Sequence, residues 1–318
     1  MRIGIIGPGT IAERFVRACG SVKEVTVYAV ASSSRERAEA FAEKYHIPYV
    51  PGSYQELWEL ADIDAVYIAT VNSMHYEQAR AALEAGKAVL CEKPMCMSLE
   101  QTRELIDTAR RKQVLLMEGM WTAALPCIQK ARRWIETGRI GTVNYLDSCF
   151  SFFQTKEENS RLFAPELGGG GLLDVGIYCL AFSMLMMGQK PISCKSSLKI
   201  GNTGVDEMGA ALLQFADGAV ANCVFGIQGQ AEPDAHIYGS RGRIYLQLFF
   251  GCRRAELLDP AGNVLEVFED SQEEGFVHEI CAFYDAWRKK KTETEEAAHQ
   301  LSLDCAELMD QIRLDCTE

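Results

Sequence analysis

The chain has 318 residues, 48% of them hydrophobic and 24% charged, and carries a net charge of −12. A chain of this length buries roughly 75% of its unfolded surface and divides into about two domains. The acidic balance argues against a phosphate-backbone partner, and no apolar run reaches the roughly 18 residues of a membrane span, so neither nucleic acid nor membrane is expected.

Met1-Arg2 leads straight into a strand pattern, which leaves no room for a signal peptide. Ile3-Gly4-Ile5-Ile6 is followed by Gly7-Pro8-Gly9-Thr10-Ile11-Ala12 and then by a helical pattern to Cys19. In such a GxGxxA turn the first glycine makes the bend and the second lets a pyrophosphate approach backbone N–H groups. The small third residue lets helix and strand pack closely. Gly7, Gly9, Thr10 and Ile11 are therefore candidate cofactor residues.

The next strand, Val25 to Ala31, runs into Ser32-Ser33-Ser34-Arg35-Glu36-Arg37 without the acidic residue that binds a ribose 2′-hydroxyl. Ser32, Ser33 and Arg37 suit a 2′-phosphate better. NADP is the favoured cofactor, with NAD left open. The apolar run Ala65 to Ala69 empties into Thr70-Val71-Asn72-Ser73-Met74-His75, a loop that should face the cofactor at the carboxyl end of its strand. Thr70 and Asn72 are read as cofactor contacts, with a minor role for His75.

Ala88-Val89-Leu90 ends in Cys91-Glu92-Lys93-Pro94. A lysine here does not point comfortably into a core, and Pro94 stops the strand. Pro94 also restricts the backbone of Lys93, and an X-Pro bond is cis in about 5–6% of folded cases. Lys93 is read as the polar centre of an active site, with Glu92 beside it near the cofactor. Ser98 and Gln101 have capping-box spacing and open a helix to about Arg111, and Val114 to Met117 is a further strand. Alternating strands and helices indicate a doubly wound parallel sheet over residues 1–120.

From Trp121 the rhythm changes. A helix near Ile128 to Thr137 precedes a long strand, Val143 to Phe153. Later strands fall at Ile192 to Lys199, Met208 to Phe215, Val220 to Phe225, Ala235 to Tyr238 and Arg243 to Leu248. Few helices intervene, so residues 121–318 read as an α+β domain with an open, mainly antiparallel sheet. Helices at Phe276 to Arg288 and Glu295 to Asp315 close the chain, and these last helices are free to return to the first domain.

Gly168-Gly169-Gly170-Gly171 precedes Leu172-Leu173-Asp174-Val175-Gly176-Ile177-Tyr178. Asp174 and Tyr178 are four apart and share one face of a helix. The glycines allow a chain segment or a ligand close to the backbone, and Gly176, at a cost of about 1 kcal/mol against Ala, implies a packing reason. Lys93 and Tyr178 make a working acid–base pair. Opposite charges 4 Å apart attract by about 4 kcal/mol at an effective dielectric of 20, enough to bring a phenol from about 10 towards 7. A proton carrier works best near the operating pH. Trp121, Phe150, Phe152, Phe153 and Arg161 are candidates for the pocket lining.

The twelve cysteines form no CxxC pair and have no histidine cluster beside them. They read as free, mostly buried thiols of a reducing cytoplasm, and no metal is expected.

Gly7-x-Gly9-x-x-Ala12, Asn72-x-x-His75, Glu92-Lys93-Pro94 and Gly168-Gly169-Gly170-x-x-x-Asp174-x-Gly176-x-Tyr178, in this order, resemble the Gfo/Idh/MocA oxidoreductase family over essentially the whole chain. Met117-Glu118, Trp121-Thr122 and Leu173 to Cys179 look like its dimeric dihydrodiol dehydrogenase branch. Many inositol-oxidising relatives carry His where this chain has Tyr178. The resemblance implies NADP, a secondary alcohol of a sugar, cyclic polyol or trans-dihydrodiol as substrate, and a homodimer packed through the open sheet. On this reading Tyr178 takes the hydroxyl proton, Lys93 stabilises the developing oxyanion and Asp174 helps position the substrate, with Trp121, Phe153 and Arg161 as candidate substrate contacts. Two other readings are a cofactor-binding sensor without turnover and a sugar–sugar hydride shuttle with tightly held NADP.

Overall fold

A computed structural model describes residues 1–315. The chain divides into two compact units, Met1–Met120 with Phe276–Ser302 and Trp121–Gly275 with Leu303–Glu318.

The first unit holds five parallel strands: β1 (Arg2–Ile6), β2 (Thr26–Ala31), β3 (Ala65–Ile68), β4 (Ala88–Glu92) and β5 (Leu116–Gly119). Their order is β2-β1-β3-β4-β5. Every residue of β3, β4 and β5 is buried, as a sheet covered on both faces requires of its near-continuous apolar runs. Helices α1 (Thr10–Cys19), α2 (Arg35–Tyr45), α3 (Tyr54–Glu59), α4 (Asn72–Glu84) and α5 (Leu99–Lys112) supply the cover. Phe15 on α1 stacks on Tyr67 of β3 with ring centroids 3.8 Å apart. The chain leaves β1 for β2 and returns to the other side of β1 as β3. The carboxyl ends of β1 and β3 therefore flank the point where strand order reverses, where doubly wound sheets hold their ligands. Ser98 caps α5 by accepting from Gln101 N at 3.3 Å, while Gln101 Oε1 accepts from Met97 N. The last strand begins two residues beyond the expected Val114, because Val114 N closes the end of α5 on Ala109 O.

In the second unit, α6 (Pro126–Glu136) and β6 (Val143–Ser151) precede α7 (Ile177–Met187). Seven strands follow: β7 (Ser193–Ile200), β8 (Asp206–Gln214), β9 (Val220–Gly226), β10 (Ala235–Gly239), β11 (Gly242–Gln247), β12 (Arg254–Leu258) and β13 (Val264–Glu269). They form one sheet in the order β13-β12-β11-β10-β6-β9-β8-β7, antiparallel except where β6 pairs with β9. α7 packs on β6 and β9, and α6 on β12 and β13. Leu146, Ala211, Leu213, Ala221, Ile237, Ile244 and Leu246 are buried, and their alternating neighbours line the opposite face.

Sequence reading missed β12 and β13. On β13 the side chains of both faces are exposed or half-exposed, so no apolar alternation marks it. It also placed the final helix at Glu295, whereas α9 spans His299–Asp315 and follows α8 (Phe276–Arg288) after a turn in which Thr294 Oγ1 accepts from Ala297 N at 3.2 Å. α8 belongs to the first unit and packs on α1, with the Arg14 guanidinium 4.5 Å from the Phe276 ring centre.

Contrary to the sequence expectation, one segment has membrane length. Pro165–Met187 is 23 residues, long and apolar enough to span a bilayer by length and composition, although its chain turns at Gly168 and Gly170 before the helix that continues to Met187. It is not an unbroken apolar run, because Glu166, Asp174 and the glycines interrupt it. In the fold, 89% of its most apolar window is buried, as in a core helix.

Candidate active site

In the first unit the predicted cofactor residues converge on the switch point. Gly7 has φ +87°, and a Cβ there would lie 2.6 Å from the carbonyl oxygen of Ala69, just after β3. Its N–H donates to Ala31 O at 3.2 Å, tying the ends of β1, β2 and β3 together. α1 then opens on Gly9 with no side chain capping it, and a Cβ on Gly9 would meet nothing within 4 Å. The N–H groups of Thr10, Ile11 and Ala12, at the first turn of the helix, have no acceptor within it. Uncapped donors facing open space at a helix N-terminus fit a pyrophosphate, so these residues fit a dinucleotide.

After β2, Ser34 caps α2 by accepting from Arg37 N at 3.3 Å, and Ser32 Oγ accepts from Ser34 N at 3.2 Å. Arg35 turns along the helix to Glu39, at 2.7 Å, while Ser33 and Arg37 are exposed, with Tyr54 beside both. This loop therefore presents hydroxyls and a guanidinium to solvent, and no carboxylate caps the strand.

The Lys93 turn is braced from below. The Lys93–Pro94 peptide is cis. Glu92 accepts from the Tyr67 hydroxyl at 2.5 Å. Glu118, at the end of β5, accepts from Met95 N at 2.8 Å and from Ser302 Oγ at 2.5 Å. Burial raises both carboxyls above their usual range. His75 is wholly buried on α4, with Nδ1 2.9 Å from Pro94 O and Nε2 3.2 Å from Thr70 O. Burial lowers its pKa, so the ring is neutral at pH 7 and donates to one carbonyl at a time. Both ring nitrogens of His75 face backbone carbonyls, so the side chain ties the Thr70 loop to the Lys93 turn. Thr70 gives its own hydroxyl to Gln78 Oε1 at 2.7 Å. Asn72 opens α4 and Lys93 is half-exposed.

In the second unit Trp121 and Tyr178 meet. The indole N–H donates to the Tyr178 hydroxyl at 3.1 Å, and both residues are buried. Phe150 and Phe250 stack at 3.9 Å beside them, each about 6 Å from the Tyr178 ring. Arg161 pairs with Asp174 at 2.9 Å, with the guanidinium largely exposed and the carboxylate buried. Phe153 is 62% exposed beyond the end of β6 and bridges to Gln228. It stands apart from the ring cluster of Trp121, Tyr178 and Phe150, which takes its fourth ring from Phe250.

The helix bearing Asp174 starts as a π-turn, Leu172–Gly176, before α7. Expected α spacing is thus widened at Asp174, a local irregularity common at functional sites. The glycines before it admit chain: Gly170, at φ +115°, lies against the Asp206 carboxylate, and the Phe225 ring lies 3.0 Å from where a Cβ on Gly176 would stand.

Sequence reasoning missed Phe250, Asp206 and Glu279. Phe250 lies two residues past the strand expected to end at Leu248, and Asp206 two residues ahead of the strand expected from Met208. Glu279, on α8, is wholly buried with neither carboxylate oxygen hydrogen-bonded, and burial together with the charge of Glu92 pushes it well above the usual range. Nothing in its surrounding sequence marks it. Among the described residues no three His, Cys, Asp or Glu side chains gather as a metal site.

Residues 1–120 match the model of an oxidoreductase family with an NAD-binding Rossmann fold, and residues 128–245 match the GFO/IDH/MocA C-terminal domain. The chain is 36% identical to a trans-1,2-dihydrobenzene-1,2-diol dehydrogenase of Mus musculus, over 78% of this chain and 74% of that protein. It is 30% identical to a scyllo-inositol 2-dehydrogenase (NADP(+)) of Bacillus subtilis, over 98% and 96%. A solved 3-ketoreductase from Actinomadura kijaniata, in complex with NADP and TDP-benzene, superposes with a TM-score of 0.89 at 27% identity, covering 99% of this chain and 98% of its own.

Proposed function

Because the chain belongs to the Gfo/Idh/MocA oxidoreductase family, we propose that it is an NADP-dependent oxidoreductase acting on a secondary alcohol, or the matching carbonyl, of a sugar, cyclic polyol or trans-dihydrodiol. NADP, when bound, supplies the nicotinamide that accepts or delivers the hydride. The uncapped N-terminus of α1 receives the pyrophosphate, and Ser32, Ser33 and Arg37 receive the 2′-phosphate.

In the oxidising direction Tyr178 as the phenolate takes the hydroxyl proton and becomes the phenol, and in the reducing direction the phenol gives that proton to the forming alkoxide. Lys93 stabilises the oxyanion that develops as the proton leaves, and Asp174, steadied by Arg161, positions the substrate. The observation that carries this reading is the indole N–H aimed at the Tyr178 oxygen. A donor there favours the oxygen when it bears negative charge and leaves its lone pairs directed for proton transfer. Relatives of known structure include a Tyr-to-Phe and a Lys-to-Ala variant of the Actinomadura ketoreductase.

On this reading Lys93→Met and Tyr178→Phe each lower kcat by about 100-fold or more, the usual share of a positioned acid–base group, while NADP still binds. Steady-state kinetics on a good substrate beside a cofactor titration checks both. Unchanged turnover in either variant would make the assigned roles wrong.

We also propose a cytoplasmic homodimer joined through the open face of the eight-stranded sheet, with neither nucleic acid nor membrane as partner. The eleven described cysteines are all free thiols, as a reducing compartment permits. Recovery of the native protein in a membrane or secreted fraction would overturn the location.

A further inference from the structure

The run from Gly168 to Leu172 is fixed on two sides. Gly169 N donates to Ala164 O and Gly170 N to Leu162 O. On the other side stands Asp206, the first residue of β8, 8% exposed. Its Oδ2 accepts from Leu172 N at 2.6 Å, and the N–H groups of Gly171 and of Asp206 itself also point at the carboxylate. Gly170 leaves no room for a Cβ against Oδ1, and one on Gly171 would lie 3.2 Å from Oδ2. No side chain caps the π-turn from within, so this carboxylate on a different element does it.

We propose that Asp206 is a positioning residue: its carboxylate, set into the turn Gly170–Leu172, fixes where the helix begins and so where Asp174 and Tyr178 stand. The inference rests on the reading above that these two residues act on the substrate. Three N–H groups converge on the carboxylate, and protonating it places a hydrogen among donors, which loosens the turn.

Burial pushes the Asp206 carboxyl up to about 6. Arg313 of α9, itself paired with Asp310, pulls it the other way. Glu207 follows on β8 with Lys156 at 2.7 Å and Lys199 at 4.0 Å, and the helix side contributes the Asp174–Arg161 pair. Turnover should therefore decline as pH falls through about 6.

The test is kcat against pH for the full-length protein and for Asp206→Asn, which keeps an acceptor for Leu172 N and loses the charge. The expected result is a tenfold or greater loss of kcat at pH 7.5, an unchanged KM for NADP and loss of the acidic limb near pH 6. A thermal melt accompanies it, and should the Asp206→Asn protein not fold, the profile of the unaltered protein decides. A flat kcat between pH 5 and 8, or an Asp206→Asn enzyme with the original kcat and profile, overturns the proposal. Tyr178→Phe run in parallel separates the two failures: full activity there sinks the catalytic reading, whereas a dead Tyr178→Phe beside an unaffected Asp206→Asn sinks this inference alone.

Discussion

At the scale of single residues, three buried acids stand out in the first unit. Glu92, Glu118 and Glu279 lie beneath the Lys93 turn or near it, and burial raises all three. Glu279 is the extreme case, with both oxygens unbonded and the charge of Glu92 against it, opposed by Arg14. Its folded pKa is raised, so the native state keeps a proton that the unfolded chain loses near 4.5. Its contribution to stability is therefore complete below about 4.5 and is lost as pH climbs towards the folded value, at up to about 1.4 kcal/mol per pH unit. Glu279→Gln, an uncharged isostere, should melt higher than the parent at pH 8, with the gap closing towards pH 5. Equal melting temperatures across that range would show that Glu279 ionises freely in the fold. None of this was legible in the sequence, because a glutamate within Phe276 to Arg288 looks like any exposed helical position.

At the scale of elements, legibility followed pattern strength. The GxGxxA turn, the EKP turn and the first four parallel strands were readable because buried runs and turn residues coincide there. β13 was not, since an edge strand exposed on both faces has no alternation to read. The glycines before Asp174 announced close approach without saying to what, and Asp206 supplied the answer only in three dimensions. The open face of the large sheet carries Leu212, 49% exposed, with Ala210 and Val224, the stacked pair Tyr145–Tyr238 and the stacked His236–Tyr245. Asp147 and Asn222, hydrogen-bonded at 2.8 Å, sit among these side chains, and a mixed aromatic, apolar and polar face of this kind suits a second copy of the chain. Sedimentation should give twice the 35.3 kDa chain mass, and Leu212→Asp should shift it to one. A monomeric parent protein would refute the dimer.

At the scale of the molecule, the proposed roles fall on both units: Lys93 and the glycine turn belong to the first, and Tyr178 with its indole donor to the second. The most direct measurement is nicotinamide absorbance with NADP and then NAD, against inositols, aldoses, anhydro-sugars and trans-dihydrodiols. The account predicts reduction of NADP, in preference to NAD, by one of these chemical classes. Tight NADP binding with no turnover on any of them would contradict it and point to a cofactor-binding sensor.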